Sequence, residues 1–231
     1  MRKETARIAL EFEAGALSDA EATAFAELAD RGVADLEALL GASLPAGAER
    51  TRLLRFIVSD RVGMSRSYGR TVVLPLDRVK TRSAPYLHET VHALVPSRGD
   101  VVWLSEGLAS YLESWVSENR GGYDAHVFTR AGNSGIHAAA RRILSTEMGQ
   151  VVLPWVGGHG EPPRLQDDRD GVARPFYVLS QSLTKFLVDA RSLDAVVRLL
   201  TSDDDFVRVT GRSAYDWKAD WLRSLSSPRQ P

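Results

Sequence analysis

Residues 88–92 read HETVH and residues 103–114 read WLSEGLASYLES, and the reading of the rest of the chain follows from these two stretches. On a helix, positions four apart lie one turn above each other on one face, so the imidazoles of His88 and His92 can reach a single ion. Glu89, three residues before His92, is placed to act on a water there as a catalytic carboxylate without ligating the ion. The flanks predict a helix over about 84–94, with Ser83 as its cap, Pro85 in its first turn and Pro96 beyond its end. Leu87, Val91 and Leu94 supply a buried stripe, so the histidines lie beside a core-facing surface.

Two histidines leave a tetrahedral zinc in want of a third protein ligand. In the second stretch Leu104, Leu108, Tyr111, Leu112 and Trp115 trace a helical stripe and set Glu106 on a different face, where its charge partly offsets a dication. Gly107 inside this helix costs about 1 kcal/mol relative to alanine. Close approach to the HETVH helix is the expected reason for it.

With both stretches in view, the chain resembles the gluzincins, the thermolysin-like zinc peptidases, and in particular the peptidase MA-like branch related to aminopeptidase N. That family follows HExxH with a helix of the form W-L-x-E-G-x-A-x-Y, which Trp103 to Tyr111 matches position by position. ARPFYVLSQSLTKFL, residues 173–187, is similar to the family's helix bearing a tyrosine that assists catalysis, and Tyr177 is the matching position. VTGRSAYDWKADWLRSL near the C-terminus is similar to the closing helix of these domains. The resemblance implies one zinc ion held by His88, His92 and Glu106, with Glu89 and Tyr177 as catalytic residues and a peptide or protein as substrate.

This sequence departs from the family in three places. Thirteen residues separate His92 from Glu106, a short connection. Ser110 stands where thermolysin-like enzymes place an acidic residue four after the ligand glutamate. The N-terminal-amine recognition motif of aminopeptidase N is not visible, so exopeptidase activity is not implied. A rival reading is a catalytically inactive zinc-bound module that binds peptide or protein, against which the retention of Glu89 speaks.

The expected fold is α+β, a thermolysin-like zincin. A single domain over 1–231 would have a sheet-containing lobe at 1–82 and a helical lobe at 83–231, with the active site between them. Residues 6–13 alternate around Ile8, Leu10 and Phe12 as a half-buried strand. Ser18 and Glu21 form a capping box before the helical run Phe25, Leu28, Val33, Leu36 and Leu40, which Gly41 ends. Further strands are expected at Leu53–Val58 and Thr71–Leu76, the latter with an edge for an extended substrate. After residue 83 helices are expected at 84–94, 103–118, 135–146, 174–190, 192–201 and 213–226.

Composition sets the outer limits. Of 231 residues 44% are hydrophobic and 26% charged, enough for a sizeable core. The net charge of −1 argues against a nucleic-acid binder. With no cysteine, thiolate sites and disulfides are excluded. No apolar run is long enough to span a membrane, and a cytoplasmic protein is expected unless an export signal lies outside this sequence. His126, His137 and His159 are secondary candidates for a transition-state donor, and Arg66 and Arg70 for holding a substrate carboxylate. The acidic DDRDG at 167–171 reads as a solvated loop, and Asp203–Asp205 as residues that cap or precede a short element.

Overall fold

The computed structural model describes residues 1–44, 52–97, 101–123, 131–163, 165 and 171–226. It is a mixed α+β structure that packs as two compact units, one of Met1–Pro96 with Val116–His126, the other of Ser97–Trp115 with Val127–Pro231.

The first unit is built on a five-stranded sheet. Strand β1 is Arg2–Glu4, β2 Ile8–Phe12, β3 Leu54–Ser59, β4 Arg66–Tyr68 and β5 Thr71–Pro75, in the order β1-β2-β3-β5-β4. β2, β3 and β5 run parallel, while β1 and β4 are antiparallel edges. Parallel neighbours need a long crossover, which helix α1 (Asp19–Leu40) supplies between β2 and β3. The register aligns Ile8, Leu10 and Phe12 with Leu54, Phe56 and Val58, and the last two with Val72 and Leu74. These side chains form one buried face of the sheet.

Three strands were expected here and five are present among the described residues. The two additions are edges made of charged or polar residues, RKE and RSY. An edge strand lacks the buried face that gives alternation its signal. The capping box of α1 forms as the sequence predicts. Ser18 N donates to Glu21 Oε2 at 2.8 Å, and Glu21 N donates to Ser18 Oγ at 3.2 Å.

Helix α2 (Leu76–Lys80) follows β5 directly, and α3 (Tyr86–Leu94) carries the HETVH motif. α3 packs against α1, β4 and β5. Gly32 of α1 makes this approach possible, since a Cβ there would lie 2.6 Å from Leu87 Cδ2 and 3.3 Å from the Tyr86 ring. The same unit holds Tyr123, whose hydroxyl donates to Asp35 Oδ2 at 2.5 Å.

The second unit is helical. It holds helix α4 (Val102–Arg120) as far as Trp115, with α5 Gly132–Leu144, α6 Glu147–Val152, α7 Ala173–Ala190, α8 Leu193–Thr201, α9 Phe206–Thr210 and α10 Ala214–Ser226. The longer helices stand within a few residues of expectation. α6 and α9 are too short to set up a periodic stripe. Asp205 caps α9 through Arg208 N at 2.7 Å, as the acidic run predicts.

α7 lies at the centre of this unit, packed against α5, α6, α8 and α10. Its Gln181 donates to Ser114 Oγ of α4 at 3.0 Å and to Asn133 Oδ1 of α5 at 2.9 Å. Gly107 of α4 meets α7, which corrects the expected reason for that glycine. A Cβ there would collide with Thr184 Oγ1 and stand 2.6 Å from the Ser180 carbonyl oxygen.

Candidate metal centre

α3 is buried on nearly every side. Tyr86, Leu87, Thr90, Val91, Ala93 and Leu94 are buried, and so are His88 and Glu89, while His92 is half-buried. The helix starts at Pro85, its N-cap, rather than on a Ser83 cap. Ser83 Oγ instead lies 2.9 Å from Thr81 Oγ1, because the chain is still closing the turn after α2 at that point. Thr90 Oγ1 donates to the Tyr86 carbonyl at 2.6 Å, satisfying a buried hydroxyl within the helix.

The four-residue spacing brings the ring nitrogens together. His88 Nε2 and His92 Nε2 are 3.2 Å apart, and the rings are inclined at 76°. A tetrahedral zinc bound at about 2.0–2.1 Å separates two ligand nitrogens by about 3.4 Å. One N–H···N hydrogen bond would have a similar length, its direction set by the tautomer. The metal reading draws support from a third donor. One ligand atom each from His88, His92 and Glu106 all lie within 4.8 Å of one another. Two imidazole nitrogens and one carboxylate are a donor set that catalytic zinc takes, with a position left open. The residues present therefore fit the ion.

The other expected residues are placed as follows. Tyr177 is half-buried in the second turn of α7, after Pro175, with its ring edge-on to Phe176 at 6.1 Å. His137 Nδ1 lies 2.8 Å from Ser182 Oγ, which also accepts from Trp221 Nε1 at 3.0 Å, a helix-packing contact. His159 is exposed, and Arg66 is exposed on β4. Arg70 Nη2 donates to the Arg52 carbonyl at 2.8 Å. His126 and residues 167–170 lie outside the described residues.

β5 does not offer an edge to a ligand, because β3 and β4 pair with it on both sides. The outer edge in this part of the sheet belongs to β4, next to α3. Sequence reading missed it because RVGMSRSYGR has the composition of a turn. The only signal within that segment is Tyr68, two residues from Arg66 in a strand-like alternation.

No family model matches the chain, and no curated protein or solved structure matches it.

Proposed function

We propose that this chain is a zinc-dependent peptidase of thermolysin-like architecture. The observation that carries the reading is the 3.2 Å approach of His88 Nε2 to His92 Nε2, on one helix with the buried carboxylate of Glu89 between them in sequence. His88, His92 and Glu106 would hold the ion. When bound, zinc supplies a Lewis acid that polarises a carbonyl and acidifies water.

The chain's own groups supply the remaining chemistry. Glu89 accepts a proton from the attacking water and delivers it to the leaving amine, the work of a positioned general base and acid. Tyr177 donates a hydrogen bond to the oxygen that gains charge in the transition state. The outer edge of β4 would pair with an extended peptide through main-chain hydrogen bonds. A purely structural zinc site has no use for a buried carboxylate such as Glu89 beside its ligands, and this favours turnover over an inert binding module.

The test is cleavage of a mixed peptide library by the zinc-loaded protein, with products read by mass spectrometry. Internal cuts that vanish in Glu89→Gln are expected. Absence of any cut by the wild-type protein, with one equivalent of zinc bound, would leave the inert module as the better reading.

A further inference from the structure

One face of the five-stranded sheet is charged, and its charges do not cancel. Residues paired across neighbouring strands share a face. The register aligns Arg66 with Val73, Val73 with Ile57 and Ile57 with Glu11, which places Arg66 and Glu11 on one side. The row of Tyr68, Thr71, Arg55 and Ala9 lies on that same side, and β1 adds Arg2 and Glu4 to it. Within the strands, the charged residues of this face are therefore Arg2, Glu4, Glu11, Arg55 and Arg66. Arg2 pairs with Glu4. Arg55 Nε donates to Glu11 Oε1 at 2.9 Å and its Nη2 to Glu11 Oε2 at 2.5 Å, a bidentate pair. Arg66 is left over. It is exposed and, among the described residues, takes part in no ion pair.

Arg66 also stands at the rim of the sheet. β4 pairs with β5 on one side, and among the described residues no strand pairs with its other side. An edge of this kind takes up an extended segment by main-chain hydrogen bonds. Each residue of the added strand then sets its side chain beside that of its cross-strand partner. A residue opposite Arg66 would meet a guanidinium with no acidic neighbour, since β4 is RSY and β5 TVVLP. Met64, 45% exposed, stands two residues before Arg66, and Tyr68, 55% exposed, two residues after it. Arg70, the other arginine of this hairpin, is turned back, with Nη2 on the Arg52 carbonyl at 2.8 Å.

We propose that Arg66 selects a glutamate or aspartate side chain in a segment bound along β4, in an apolar-x-acidic-x-apolar pattern. This rests on the reading of the β4 edge as the seat of a peptide, and it narrows the class of that peptide. The carboxylate belongs to a side chain rather than to a chain end. Large exposed side chains flank Arg66 in both directions, and a segment ending at Arg66 would reach only one of them. An exposed ion pair is weak and screened by salt, so the selectivity is few-fold.

The test is fluorescence anisotropy at low ionic strength on the full chain carrying Glu89→Gln, in which the probes stay uncut. The probe is Ser-Ser-Ile-Thr-Glu-Thr-Ile-Ser-Ser with an N-terminal fluorescein and a C-terminal amide, the same sequence in either chain direction. It is compared with versions that have glutamine or lysine at the centre. The glutamate probe is expected to bind about threefold tighter than the glutamine probe and about tenfold tighter than the lysine probe. In Arg66→Glu the order should reverse, with the lysine probe tightest, a swap that a merely structural role for Arg66 would not produce. Equal binding of the glutamate and glutamine probes, no saturable binding, or an unchanged order in Arg66→Glu would each overturn the proposal. A glutamine probe with a free C-terminal carboxylate that binds as tightly as the glutamate probe would assign Arg66 to chain ends and overturn it too. So would a probe-free chain that sediments as a dimer and is dispersed by Tyr68→Glu, since the edge would then belong to a second copy. The peptidase reading fails separately, when zinc-loaded wild-type protein cuts no peptide while this preference holds.

Discussion

Within α3 the two kinds of functional side chain can be separated by substitution. On the proposed reading His92→Ala removes a ligand, and elemental analysis of the purified protein should show zinc falling well below one equivalent. Glu89→Gln preserves shape and leaves the ligands in place, so zinc should stay while hydrolysis falls by about 10²–10⁴-fold, the usual worth of a positioned acid–base group. Near-normal turnover in Glu89→Gln would remove the mechanism proposed for this helix. Tyr177 sits one turn into α7, and Tyr177→Phe should lower kcat more than it changes KM, as for an interaction made mainly in the transition state. Steady-state kinetics that show a KM effect alone would assign the hydroxyl to substrate binding.

Among the elements, glycines mark where helices touch, and they invert an ordinary expectation. Alanine is a better helix former than glycine by about 1 kcal/mol, yet Gly107→Ala should destabilise the protein by about 1–3 kcal/mol. The new methyl group would meet the Ser180 carbonyl and Thr184 Oγ1 of α7. Urea unfolding reads the sign directly, and a stabilised variant would contradict the packing described for α4. Sequence reading recognised that Gly107 was held for close approach but assigned it to the wrong helix, since residues 180–184 lie far along the chain. Edges β1 and β4 escaped for a related reason, as their hydrogen-bonding partners, and not their own pattern, make them strands. The pairing of His88 with His92 and the α1 cap were legible because each is complete within a few residues of one helix. The isolation of Arg66 on its sheet face was not, since the register that groups those charges joins strands far apart in the chain.

At the scale of the whole molecule, stability should decline on the alkaline side for an identifiable reason. Burial holds the Tyr123 hydroxyl well above the usual tyrosine range, assisted by its hydrogen bond to Asp35 and that carboxylate's charge. The unfolded chain releases this proton near pH 10 and the folded protein resists doing so. The contribution is thus fully present below about pH 10 and is lost as pH rises beyond it. Tyr123→Phe should be less stable at neutral pH and show a shallower alkaline decline in denaturant midpoints, whereas an identical alkaline profile would show that other groups set it. A last consequence follows from the uneven exposure of the two histidines. His88 is 5% exposed, whereas His92 is half-buried. If His88, His92 and Glu106 held an ion, His92 would be the more solvent-accessible of the two imidazole ligands. Stripping by a chelator should then follow the accessibility of a single imidazole, and carbethoxylation of the metal-free protein should mark His92 well ahead of His88.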